Sequence, residues 1–172
     1  NGSIIASTIT NQTGKEFINN SGKEITAESF INQGSVTNNG TINAESLTNT
    51  SSITGNTGSL IISNGGTNGG TISQNIVSIT GGTLTNNNSI TANEFNNSAT
   101  ISGSGSLTVT TGNNSGNITQ DNVTINGDYT NTGTETWKDI MFNGTINILE
   151  PAGAEAKIWR ADTQIPSEND AW

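Results

Sequence analysis

Single apolar residues recur along this chain at short, regular intervals. Phe30, Val36, Ile42, Leu47 and Ile53 are separated by six, six, five and six residues; Ile90, Phe95, Ile101 and Leu107 by five, six and six. Most are flanked by small polar residues, as in Thr41-Ile42-Asn43 and Ser89-Ile90-Thr91. That pattern predicts three-residue strands with one side chain inward and two outward. The Asn, Gly and Ser that follow are turn residues. No helical period survives between Phe17 and Ile148, and Asn, Gly, Ser and Thr at this density disfavour helix.

The short period sits inside a longer one. Ile42 to Gly133 is one module written twice: Ile42 matches Ile90, Leu47 matches Phe95, Ile53 matches Ile101, Leu60 matches Leu107, and Val77 matches Val123. The same module opens earlier, since ITAESF at 25–30 returns as INAESL at 42–47. Fixed periods of this kind mark repeat architectures. The expected fold is all-β, a parallel β-helix (β-solenoid) of roughly 17-residue coils with a non-repetitive C-terminal tail. Residues 1–149 form the solenoid: an entry segment 1–24, repeat modules 25–134 and last coils 135–149. Residues 150–172 are a cap or assembly tail. The run NGGTNGGT (64–71) is the expected projecting loop, with TGNNSG (111–116) its shorter counterpart. Phe30, Val36, Ile42, Leu47, Ile53, Leu84, Ile90, Phe95, Ile101 and Leu107 are the expected core.

Composition changes this picture in one respect. Only 29% of the 172 residues are hydrophobic, which by itself would group the chain with disordered segments. A solenoid resolves the conflict, because a narrow interior needs few apolar residues per coil. Backbone ladders and stacked Asn or Thr rows supply the remaining cohesion.

Charge narrows the function. The net charge is −9, and no Lys or Arg occurs between Glu24 and Trp137. Nucleic acid and anionic lipid both need a cationic footprint, so neither is an expected partner. The chain holds no Cys and no His, which removes thiol chemistry, disulfides and Cys- or His-bound zinc. No stretch is long and apolar enough to insert in a membrane as a helix. The chain starts at Asn1 without Met or a visible signal peptide, so a mature form or a fragment is expected.

Candidate chemistry is sparse. Glu28 and Glu45 occupy equivalent places in successive coils, and stacked strands lie about 4.8 Å apart. Two carboxylates at that spacing suit a retaining glycosidase or a calcium site. No stacking aromatic or basic partner accompanies them, so solvated surface charges are the expectation. Asn64 to Gly70 has the glycine density of calcium-binding nonapeptides but lacks their Asp. Thr83-Leu84-Thr85 and Thr108-Val109-Thr110 have the triplet form of ice-binding faces. Such faces need the triplet in every coil, and these two are isolated from each other along the chain. Asn-x-Ser/Thr sequons are too frequent in so Asn-rich a chain to inform.

Segments such as SFINQGSVTNNGTINAESLTNTSSITG and GSGSLTVTTGNNSGNITQDNVTINGDYTNTGT resemble the Asn/Thr/Gly-rich β-helical repeats of bacterial surface proteins. They are similar in style to autotransporter passengers and filamentous-haemagglutinin-like adhesins. The resemblance covers about residues 17–149 and rests on repeat style. It implies a right-handed parallel β-helix, secretion, and a structural or adhesive role.

The resulting expectation is a secreted structural protein, not an enzyme, without cofactor or metal, that builds an extracellular fibre or surface layer by head-to-tail self-association. Its assembly interface is expected at Trp159, Arg160 and Trp172 in the acidic tail and at Lys15 and Lys23 near the start. An adhesin fragment binding glycan or a host surface is the alternative. A polysaccharide lyase or hydrolase fits less well, since the body lacks the cation that stabilises a carboxylate-bearing intermediate.

Overall fold

The computed structural model describes residues 2–148. They form sixteen strands: β1 (Ser3–Asn11), β2 (Glu16–Asn19), β3 (Glu24–Asn32), β4 (Ser35–Asn38), β5 (Thr41–Asn49), β6 (Ser52–Ile62), β7 (Gly65–Asn68), β8 (Thr71–Ile79), β9 (Thr83–Asn86), β10 (Ser89–Asn97), β11 (Thr100–Ser102), β12 (Ser106–Asn114), β13 (Asn117–Ile125), β14 (Tyr129–Asn131), β15 (Thr134–Phe142) and β16 (Ile146–Ile148). Every pairing is parallel and joins one coil to the next, as in β3–β5, where Glu24 faces Thr41 and Asn32 faces Asn49. The expected parallel β-solenoid is the fold, and no described residue is helical.

Each coil contributes three short straight segments. In the coil that starts at Glu24, the first spans Glu24–Ala27 and the second Ser29–Asn32, both within β3, which bends at exposed Glu28. The third is β4. Alternation buries two side chains per segment: Ile25 and Ala27, Phe30 and Asn32, Val36 and Asn38. The segments are thus four residues with two inward, longer than the expected three with one. The first inward place of each segment is usually a large apolar residue, and these stack into three columns. All ten expected core residues lie there, none more than 1% exposed.

The second inward place sits at a corner and often holds a buried amide. Asn11, Asn32, Asn49, Asn68 and Asn86 stack at the corner after the second segment. Each Nδ2 donates to the next Oδ1, at 2.9, 2.8, 2.7 and 2.8 Å. The amides from Asn32 to Asn86 are fully buried. A buried amide is tolerated only when satisfied, and stacking at strand spacing satisfies one with the next. Asn19 donates to Asn38 at the corner after the third segment. Asn97, Asn114 and Asn131 form a third row, after the first segment.

The row changes corner because the internal repeat is not a whole number of coils. Ile53, in a third segment, pairs with Val36 and Ile72, whereas its repeat partner Ile101, in a second segment, pairs with Leu84 and Ile118. The copies are related by two coils plus two of three segments. Asn49, Asn68 and Asn86 accordingly recur as Asn97, Asn114 and Asn131, one corner round. The corner sequence Asn38, Gly55, Gln74 recurs as Asn86, Gly103, Gln120. The chain bulges at Gly55, and in both copies a Cβ on the glycine would collide with the carbonyl of the coil below, Asn38 under Gly55 and Asn86 under Gly103. The glycine breaks the amide row, and the longer glutamine of the following coil closes it: Asn38 donates to Gln74 Oε1 at 2.7 Å and Asn86 to Gln120 Oε1 at 2.6 Å.

The NGGTNGGT run corrects the expected loop. Residues 65–68 are β7, an ordinary segment of the stack, with Gly66 in register with Leu47 and Leu84. A Cβ there would strike the Leu47 backbone, so glycine marks close packing instead of a projection. TGNNSG likewise begins within β12. The irregular stretch is Gly55 to Ser59, where the β6–β8 register shifts.

Candidate functional surfaces

Inward positions are given over to packing, so function rests on corners, outward positions and ends. Glu28 and Glu45 are exposed at the corner between first and second segments, one coil apart, as the flanking Ala27–Ala44 and Ser29–Ser46 pairs require. The next coil carries Ser63 and Asn64 at that corner, so the carboxylates form a column of two. Among the described residues, no three of His, Cys, Asp and Glu come together as a metal site would need.

Lys15 and Lys23 are not brought together. They close the turns at the two other corners of the first coil, each donating its amide to the carbonyl three residues back, Gln12 at 3.0 Å and Asn20 at 3.1 Å. The carbonyl of each accepts from the amide of the next coil, Ser35 and Thr41. Trp159, Arg160 and Trp172 lie outside the described residues.

The outward positions hold a feature that spacing along the chain conceals. On the second segments, Thr48, Thr67, Thr85, Ser102, Thr119 and Thr136 stand one above another in successive coils. The neighbouring outward column continues with Thr83, Thr100, Asn117 and Thr134. The hydroxyls of Thr85 and Ser102 are 3.5 Å apart. Among the described residues no charged side chain interrupts this face. Thr83 and Thr85 belong to it; Thr108 lies on the third segments and Thr110 at a corner, so the two triplets do not share a surface. Third segments carry a second hydroxyl column, from Thr37 and Thr54 through Ser73 to Thr91 and Thr108.

The two ends of the stack differ. Among the described residues, no strand pairs with the outer edge of β1 or β2, and none donates to the Oδ1 of Asn11 or Asn19. Ile4, in register with buried Ile25, is 47% exposed. At the other end the amide row stops: Trp137 follows Gln120 at its corner and Phe142 follows Ile125, both packed against the core.

No family model, curated protein or solved structure matches the chain.

Proposed function

We propose that the protein is a secreted structural subunit of an extracellular fibre or surface layer, assembled by stacking subunits end to end. The observation that carries this reading is the first coil. Its open backbone edge and apolar interior match what later coils offer to the coil before them, and its two amide acceptors match those that Asn32 and Asn38 of the second coil offer to it. An exposed rung is a template for strand addition. Self-pairing of two such ends would set acceptor against acceptor, and the last described coil carries Trp137 and Phe142 at the two matching corners, so a neighbour joins through another surface. The tail supplies that contact: Glu150, Glu155, Asp162, Glu168 and Asp170 complement Lys15 and Lys23, and Trp159 and Trp172 anchor it beside Arg160. A heterologous contact of this kind propagates as a filament. Electron microscopy and sedimentation of the intact chain are expected to show fibres, and deletion of residues 152–172 to leave monomers. An intact chain that stays monomeric at high concentration refutes the stacking; fibres formed by the deletion refute the role of the tail.

The charge-free hydroxyl face favours a second reading, an adhesin that lies along a neutral glycan surface. Thr67→Lys with Thr85→Lys is then expected to abolish co-sedimentation with an insoluble neutral polysaccharide while leaving the fold unchanged. Retention of the wild-type chain no better than the double variant excludes this role.

A further inference from the structure

The apolar column of the second segments ends in an acid. Leu84, Ile101 and Ile118 stack, and Glu135 follows Ile118 in register. Alternation along β15 turns Glu135 inward while Thr134 and Thr136 face solvent. Beside it stands Tyr129, 2% exposed, whose O–H donates to Glu135 Oε1 at 2.6 Å. Glu135 Oε2 is buried and has no hydrogen-bond partner among the described residues.

The surroundings decide which form of the carboxyl fits. From β12, β13 and β14 the packed groups are Asn114, Ile118 and Tyr129, and Tyr129 is the one titratable group among them. Lys138 follows on the same strand but extends outward to Asp121 at 2.7 Å. Asp128 and Asp139 are exposed. Among the described residues a carboxylate at this place has one strong donor and no counterion; a neutral carboxyl needs none.

We propose that Glu135 is an acid-sensitive latch on the C-terminal end of the stack: protonated, it lets β14 and β15 close over the coil below; ionised, it loosens them. Burial raises the affinity of Glu135 for its proton; the Tyr129 hydrogen bond and the nearby Asn114 amide pull the other way, and burial prevails. The sign follows from linkage. The folded value lies above the unfolded one, so the stabilisation is complete below the unfolded value and is lost as pH rises through the folded value. Tyr129 itself is pushed upward, first by burial and then by Glu135, so it remains a donor throughout. The end of the rod is therefore firmest in acid.

Hydrogen exchange of the intact chain, expressed as protection to remove the intrinsic pH effect, tests this. As pH rises from below the ordinary carboxyl range, protection at residues 129–142 should fall, by about tenfold in all for each unit separating the folded and unfolded values. Residues 41–97 should keep theirs. Glu135→Gln should hold the end at its acid level throughout. Tyr129→Phe, which removes the donor to the anion, should extend the loss to higher pH. Should Glu135→Gln fail to fold, the wild-type and Tyr129→Phe profiles decide. Protection at 129–142 that does not change with pH, or that changes equally in Glu135→Gln, overturns the latch.

Discussion

Leu47→Asp is expected to leave the chain unfolded at room temperature, with loss of its β signal by circular dichroism and no cooperative melt. Leu47 is fully buried, between Phe30 in the coil before and Gly66 in the coil after. Removing its side chain from the core forfeits about 2–3 kcal/mol. The new carboxylate costs more, because it would lie inside an apolar column without a cation, at a further penalty of several kcal/mol. The sum is comparable to the whole stability of a domain, about 5–15 kcal/mol. Ile101→Asp should behave alike, because Ile101 fills the same column three coils on, at 1% exposure. Two controls separate burial from charge. Leu47→Met keeps the volume and should cost less than about 1.5 kcal/mol. Thr48→Asp adds the same charge one residue away, on the outward side, and should change stability by about 0.5 kcal/mol or less. A cooperative melt near the wild-type temperature for Leu47→Asp would contradict the packing described.

The core and the coil length were legible because each rests on a local signal. One is the single large apolar residue per segment; the other is the step from Ile25 to Ile42, which the pairing of β3 with β5 reproduces. The faces were not legible. The module offset, from Ile42 to Ile90 or from Ile53 to Ile101, is longer than two coils and shorter than three. It carries every residue one corner round, so aligned residues such as Ile53 and Ile101 lie on different faces. The hydroxyl columns emerge only when Thr48, Thr67 and Thr85 are stacked by register. The glycine run at 64–71 misled because glycine signals both loose loops and tight packing, and only the neighbour, here the Leu47 backbone, distinguishes them.

Stacked Asn rows were expected, but which asparagines form them was hidden for a different reason. Hydropathy scores Asn38 and Asn39 alike, yet the first is fully buried and the second only half-buried. The usable signal is an apolar residue two places before: Phe30-Ile31-Asn32, Val36-Thr37-Asn38, Leu47-Thr48-Asn49, Leu84-Thr85-Asn86 and Tyr129-Thr130-Asn131 all end a segment on an inward Asn. Glu135 carries the matching signal, since alternation in Thr134-Glu135-Thr136-Trp137 turns the acid toward the core. The tail residues Trp159, Arg160 and Trp172 follow no repeat, so neither period nor register assigns them a place.

The amide rows carry the second large expected effect. Asn68 Oδ1 accepts from Asn49 at 2.7 Å, and its Nδ2 donates to Asn86 Oδ1 at 2.8 Å and to the Ser89 carbonyl at 3.2 Å. Asn68→Leu removes one donor and one acceptor from the middle of the row. It orphans an Asn49 N–H, the Asn86 Oδ1 and part of the hydrogen bonding of Ser89. At about 1–3 kcal/mol for each unsatisfied group, the loss is about 3–6 kcal/mol despite the gain in hydrophobicity. Asn68→Asp should cost at least as much, since its carboxylate replaces the donor and faces two acceptors. Gln120 tests the role of length separately. It reaches past Gly103 to accept from Asn86 at 2.6 Å, and its Nε2 donates to the carbonyls of Ser102 at 2.9 Å and Gly103 at 3.2 Å. Gln120→Asn keeps the amide but is one methylene shorter, so it cannot span the glycine coil; a loss of about 2–4 kcal/mol is expected by chemical denaturation. Asn38, Gly55 and Gln74 repeat the arrangement, so Gln74→Asn should show a loss of the same size. If Gln120→Asn proves neutral, the glutamine does not bridge the gap, and the amide row ends at Asn86.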